Sequence, residues 1–525
     1  MLKILSLQDF DCPAFVGDTT AVGLIESAVH YCTYDNLQDE IQPFARYLRT
    51  YPEVSITPDI LATRDSSRTV SAGELFLPVH DSIFKKIANV WREKGWSEAI
   101  RFTAATNPQQ VTKVVYWIAT RLNWMLDLME RGIYQRDVLP TSGTGSVADI
   151  VATRDWNTSL VRCLSWHPHC SRLAVATRDD RIRIFSHGIL GVPILRHSAQ
   201  KSVCCLSWRP HAGRELAAAC YSGILIWTIE LGAASNLLSH AVLLKQRNHG
   251  PVTSVIWHPQ GDLLASCSPT DSNIIIWDVS KEEGVPLKRV GGGGICFIRW
   301  SPCGSRLFAA SCRNIFRVWN TGVPTQWRPE RWTVPRGRVA AACFGPNLTL
   351  LFTTTEDPAT IFSLPLQSNI FDVKKGTNND VKIAMRLIDL TKVNFSSDDN
   401  DDYIIVGGRI VSMEWDPTGR YLAILFQDSP VIALVKTNLS NLSRIVDVQP
   451  TCLIKGFPGE VPNCINFYQK HSSWICLTIA WNSGRVQHFP IVESEPKIDG
   501  SRCSTSKVMN INVPYNVDVS SYGQY

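Results

Sequence analysis

Seven times along this chain an apolar run stops on an aromatic residue, and the spacing of these stops limits the fold more than any other feature. The stops are Trp166, Trp208, Trp257, Trp300, Phe344, Trp415 and Phe467, at intervals of 42, 49, 43, 44, 71 and 52 residues. A proline follows two positions later in every copy but the last. An aromatic ring at that place fills the gap between neighbouring sheets, and proline, with no N–H to give, ends the strand at once. A period of about 40–45 residues built from short β-branched runs is the signature of a stacked or radial array, not of one ordinary core.

The third copy, 249–278, reads HGPVTSVIWHPQGDLLASCSPTDSNIIIWD and sets the pattern. Three strand-length runs, 252–257, 263–267 and 274–277, are separated by turn residues. That is three-quarters of a four-stranded blade of the WD-repeat kind. His249, Ser266, Asp271 and Trp277 stand where such repeats place a buried hydrogen-bond network, and this copy alone has the whole set. Their expected role is structural, with no catalytic dyad between His249 and Asp271. The other copies span 161–185, 203–227, 295–319, 339–364, 410–435 and 464–491, which makes a full ring. The fold expected is all-β: a seven-bladed WD-repeat β-propeller over 148–495 with an N-terminal α-helical extension over 79–135. Residues 1–78 are irregular in pattern, with short runs at 2–5 and 54–56 each able to add an edge strand. The long fifth interval holds an insertion at 366–407 with an acidic run at 398–402, expected to be a loose solvated loop. The last blade needs an outer strand, from either 148–151 or 509–513. The tail 496–525 is expected to be flexible.

The extension shows helical periodicity over 81–104 and again over 108–131. In the second helix Asn107 is placed as N-cap, Pro108 as the first helical residue and Gly132 as the closing glycine. Val111, Val114, Val115, Ile118, Leu122, Met125, Leu126 and Met129 form one apolar stripe; Trp117, Trp124 and Leu128 form a second. Two assignments follow: both stripes are buried against the first helix and the propeller, or the Trp117–Trp124–Leu128 strip waits for another protein.

Chemistry is conspicuous by omission. The 16 cysteines include no C-x-x-C pair, so zinc spacing is missing, and most fall in strands as small buried hydrophobes. Phosphate-cradle, nucleophile-elbow and H-E-x-x-H motifs are lacking. No catalytic, cofactor-binding or metal-binding residue is therefore assigned, and no cofactor is expected. His167 and His258 follow anchor tryptophans as repeat grammar, and Arg172, Arg178, Arg181 and Arg183 read as a solvated basic face. A net charge of +5 on 525 residues is too weak a bias to indicate nucleic-acid contact. Nothing resembles a leader peptide at Met1, and no run approaches the ~18 apolar residues of a membrane span.

Taken in order, LSWHPH (164–169), ILIWT (224–228), PVTSVIWHPQG and IIIWDVS (within 251–280), IRWSPCGS and FRVW (within 291–319), MEWDPTG (413–419) and AWNSGRVQHFPI (480–491) resemble the aladin family of WD-repeat nucleoporins. The segment IANVWREKGW at 87–96 is similar too, and the likeness covers about residues 80–491. It implies a non-enzymatic scaffold of the nuclear pore complex, held at the nuclear envelope by a transmembrane nucleoporin and contacting further pore subunits. Roles in nucleocytoplasmic transport of protein and mRNA, and at spindle poles in mitosis, come with the resemblance. A WD-repeat adaptor of ubiquitin ligation or RNA processing is the alternative, and an enzyme using the central channel the remote one.

Overall fold

The computed structural model describes residues 4–13, 19–33, 42–58, 61, 84–85, 87–88, 91, 96–105, 113–133, and 147–493 apart from 189–190, 230–239, 288–292, 323–326, 346, 367–383, 397–402, 440–445 and 469–473. The chain divides into two units, Met1–Glu493 and Ser494–Tyr525. The second unit, with the expected flexible tail and the candidate closing strand at 509–513, lies outside the described residues, as do the acidic run 398–402, Asn107 and Pro108.

Seven sheets follow one another in the first unit, and within each the strands consecutive along the blade run antiparallel. Blade one is Val161–Trp166, Arg172–Thr177, Ile182–Ser186 and Ile194–Leu195. Blade two is Cys205–Trp208, Glu215–Cys220, Gly223–Thr228 and His240–Leu244. Blade three is Ser254–Trp257, Leu264–Cys267, Ile274–Asp278 and Glu283–Leu287. Blade four is Ile295–Trp300, Arg306–Ser311, Ile315–Asn320 and Arg328–Thr333. Blade five is Val339–Phe344, Thr349–Thr354, Thr360–Pro365 and Met385–Asp389. Blade six is Ile410–Trp415, Tyr421–Phe426, Val431–Leu439 and Val446–Lys455. Blade seven begins with Pro462–Tyr468, Trp474–Trp481 and Val486–Val492. The first strand of each blade packs beside the first strands of its neighbours, and that of blade seven meets that of blade one, so the ring is closed.

Each of the seven gaps between blades holds one apolar cluster, and each cluster contains one of the seven aromatic stops. Trp166 lies in the cluster between blades seven and one, Trp208 between one and two, Trp257 between two and three, and Trp300 between three and four. Phe344, Trp415 and Phe467 serve the remaining three in turn. All are at most 9% exposed, which ties ring assembly to these side chains. Their polar edges are treated individually. Trp166 donates to Thr478 Oγ1 of blade seven at 2.9 Å, and Trp208 donates to the Ser165 carbonyl of blade one at 2.9 Å. The Trp257 indole carries the Arg209 guanidinium over its ring at 5.0 Å.

Blade seven takes its outer strand from neither 148–151 nor 509–513. Thr19–Ile25 lies parallel to Val486–Val492, with Leu24 opposite Ile491 and Ile25 opposite Val492, and Ala28–Thr33 adds a fifth strand as a hairpin. The sequence TTAVGLI suits the place because six of its seven residues are buried, as a strand covered on both faces requires. Residues 147–151 instead form a turn, with Ile150 and Val151 donating to the Val147 carbonyl. The N-terminal region thus contains more regular structure than its composition indicates. Leu5–Ser6 pairs in parallel with the outer strand of blade five. Tyr51 packs edge-on against Trp166 and Tyr468, and Ser55 bridges to Arg485. The insertion at 366–407 supplies Met385–Asp389 as that outer strand, and a two-stranded ribbon of Val393–Ser396 with Tyr403–Val406.

Besides the single turn Ala45–Leu48, two longer helices precede the ring among the described residues, α1 (Trp96–Ala105) and α2 (Lys113–Ile133). Helix α2 runs through Gly132 to Ile133, so that glycine does not close it. Among the described residues no helix is long and apolar enough to cross a membrane.

Candidate interaction surfaces

In blade three the structure brings His249, Ser266, Asp271 and Trp277 together. Trp277 Nε1 donates to Ser266 Oγ at 2.9 Å, Ser266 Oγ lies 2.8 Å from His249 Nε2, and His249 Nδ1 lies 2.8 Å from Asp271 Oδ2. With the indole as a fixed donor, the serine hydroxyl donates to Nε2 and the Nδ1–H donates to the carboxylate, so every donor has an acceptor. Asp271 Oδ1 also takes the Asn273 backbone N–H at 2.8 Å. Burial pushes the Asp271 carboxyl up, but the His249 and Asn273 donors outweigh it and hold it below the usual carboxylate range. The order serine, histidine, aspartate is that of a hydrolytic triad, yet Ser266 is fully buried, with its oxygen committed to an indole. A nucleophile must reach substrate, and this one is sealed inside a sheet.

Blade one meets the same need differently. Asp179 accepts from Thr177, and its carboxylate pairs with Arg183 at 3.2 Å and Arg181 at 3.4 Å. Arg181 and Arg183 are 6% and 4% exposed, so half of the expected solvated basic face is an internal ion-pair network. Burial raises the Asp179 carboxyl, while Arg183 and Thr177 lower it further than burial raises it. In blade two, Gln200 takes the Trp227 indole N–H on its carbonyl at 3.0 Å and gives its amide to the Asp180 and Leu195 carbonyls.

His167 and His258 act as matching latches. Each places Nε2 near a carbonyl of the following blade, Ala212 at 3.5 Å and Gly304 at 3.3 Å, and each lies edge-on to the next anchor, Trp208 or Trp300. Burial pushes the His167 pKa down to about 4. His488, whose Nε2 meets the Pro52 carbonyl at 2.9 Å, is lowered to about 4 for the same reason.

Residues 147–159 lie across one mouth of the ring. Arg154 donates to the Ser429 carbonyl of blade six at 2.6 Å, its backbone N–H to Asn463 of blade seven at 2.9 Å, and Trp156 Nε1 to Val203 beside blade two at 3.3 Å. A cavity of about 380 Å³ remains between this strap and blades five and six, lined by Asp149, Asp155, Arg409 and Gln427 among others. Of its charged lining, Asp155 is met by the Gln427 amide at 3.3 Å. Glu414 lies on an inner strand one residue before its anchor; burial raises its carboxyl, and the Arg299 charge lowers it by less.

Among the described residues, helix α2 leaves large side chains of both apolar stripes exposed. Val114, Trp117, Trp124 and Met125 are 68%, 61%, 59% and 53% exposed, and Val115, Ile118 and Leu122 are exposed as well. Ala119 is its buried residue among those described, and α1, beside which α2 packs, buries Ala99 and Thr103. The side chain of Leu128 lies outside the described residues.

Residues 142–492 match the family described as the aladin seven-bladed propeller. The chain belongs to that family. It is 26% identical over 324 residues to aladin of Arabidopsis thaliana, spanning 57% of this chain and 68% of that one. A shorter stretch of 70 residues is 31% identical to a subunit of chromatin assembly factor 1 from Mus musculus, 13% of this chain and 12% of that one. The solved propeller domain of Cps50 (Swd1) from Myceliophthora thermophila aligns with a TM-score of 0.43 at 16% identity, over 62% of this chain and 96% of that one. The match to the family's propeller begins after α2, which ends at Ile133.

Proposed function

We propose that this aladin-family propeller is a non-enzymatic scaffold subunit of the nuclear pore complex, anchored at the nuclear envelope through a transmembrane nucleoporin. The family match over 142–492 carries this reading. Two features of the molecule support it. The triad-like polar set in blade three is inaccessible, and the exposed apolar side chains on α2, Trp117 and Trp124 foremost, form a patch of the kind that marks an interaction site. In this reading Trp117, Trp124 and Leu128 contact a protein partner, the ring holds further pore subunits, and the assembly supports transport of protein and mRNA. In mitosis the same scaffold assists spindle assembly at the poles.

A fluorescent tag on the full chain tests the assignment. A continuous rim at the nuclear envelope in interphase is expected, and a diffuse cytoplasmic signal would overturn it. Poles without signal at metaphase would remove the spindle role alone.

A further inference from the structure

Helix α2 is inside out with respect to water. It packs beside α1, and its buried residue among those described is the small Ala119, while Val114, Trp117, Trp124 and Met125 are exposed. Those side chains are not scattered. Val114, Trp117, Arg121, Trp124 and Leu128 recur at steps of three, four, three and four residues, which is the seam of a coiled coil. Beside it Val115, Ile118, Leu122 and Met125 repeat the same steps with no charge among them. Arg121 thus stands at the centre of an otherwise apolar seam, exposed, with its guanidinium carbon 5.7 Å from the centre of the Trp117 ring.

We infer that this seam receives a helix of a partner protein that carries a carboxylate opposite Arg121. The inference rests on the reading of α2 as a partner surface and names the partner's chemistry. The three–four step matches knobs of one helix to holes of another and has no counterpart in an extended strand. Covering the seam buries a guanidinium, and an unpaired buried charge costs several kcal/mol, so the occupant must neutralise it. A second copy of this chain, packed about a two-fold axis near the helix centre, would set Arg121 against Arg121. A lipid surface would call for a strongly cationic helix, whereas α2 carries Lys113, Arg121 and Arg131 against Asp127 and Glu130. A charged residue at one seam position is also a device for choosing partners, since it penalises every helix that lacks the complement.

The test uses the full chain in cells, with Ile118→p-benzoyl-phenylalanine as a photocrosslinker and mass spectrometry to place the crosslinked residue. The expected site is a segment with apolar three–four spacing and an Asp or Glu within one turn of the crosslink. Arg121→Glu should lower the crosslink yield at least tenfold, and reversing that partner carboxylate to Arg should restore it to within threefold. Crosslinks to lipid, to a second copy of the chain, or to a segment without a carboxylate overturn the inference. So does an unaffected yield in the Arg121→Glu chain, or no crosslink in a chain whose circular dichroism shows it folded. The rim at the nuclear envelope is scored in the same cells. A rim without the crosslink defeats the helix inference alone, and the crosslink without a rim defeats the pore assignment alone.

Discussion

The ring and the helix α2 use tryptophan in opposite ways. In the ring, Trp166, Trp208, Trp257, Trp300 and Trp415 are at most 8% exposed and each closes a gap between blades; on α2, Trp117 and Trp124 are 61% and 59% exposed. The same side chain therefore marks a core in one region and an unfilled surface in the other. Sequence periodicity finds both, because both repeat. Only the surroundings in space separate them: a second sheet covers each anchor of the ring, while Trp117 and Trp124 of α2 stand exposed.

Four experiments would break or sharpen that contrast. Deleting residues 1–33 should have the largest effect, because it strips two strands from blade seven and removes Leu5, Leu7, Phe10, Val22 and Leu24 from the core. A loss of roughly 5 kcal/mol or more is expected, at about 1.5–3 kcal/mol per buried apolar side chain less the ordering entropy. Urea unfolding measures it, and light scattering should report association through the bared edge. Next, Trp257→Ala should cost about 3–5 kcal/mol in urea unfolding. The double change Trp117→Ser and Trp124→Ser should stay within about 0.5 kcal/mol of the parent, as surface substitutions do. Equal losses in the two variants would erase the distinction.

The third concerns the two histidines whose pKa values burial lowers. His167 and His488 have folded pKa values lowered to about 4, against about 6.5 unfolded. Their stabilisation is fully present above pH 6.5 and is lost as pH falls from 6.5 towards 4, because the unfolded chain binds protons first. A fall on the order of 3 kcal/mol from each histidine is expected over that window, and the losses from Asp179 and Asp271, whose carboxyls are held low, continue as the pH falls further. His167→Gln should flatten part of the slope. Fourth and smallest, Ser266→Ala should cost about 1–3 kcal/mol, since it leaves the Trp277 N–H and His249 Nε2 without their shared partner. A thermal melt that moved less than that of the α2 double variant would deny the network any structural role.

Much of the ring was legible before any coordinates, because each inner strand ends on an aromatic residue and, in all but the last, a proline follows two residues later. That local grammar survives even where blades five and seven have worn away the rest. The closing strand was not legible. Thr19–Ile25 carries no repeat, and its partner Val486–Val492 is more than 450 residues away in the chain, so only the finished ring reveals the pairing. The arginines of blade one misled for a related reason. A charged residue in a strand reads as solvent-facing unless its counter-ion is known, and Asp179 sits in the adjoining turn where aspartate is ordinary. For α2 the sequence displayed both apolar stripes. It could not say which way they faced, since an apolar stripe reads the same whether it is covered or left in water.

The parallel pairing of Thr19–Ile25 with Val486–Val492 also sets a clock. At about 5–20 residues per second, a ribosome takes roughly half a minute to a minute and a half to pass from the first of these strands to the second. Throughout that time a strand apolar on both faces has been made and its mate has not. Every nascent chain thus carries Thr19–Ile25 without its mate until Val486–Val492 is made, so the cell must keep that segment occupied until the circle can be joined.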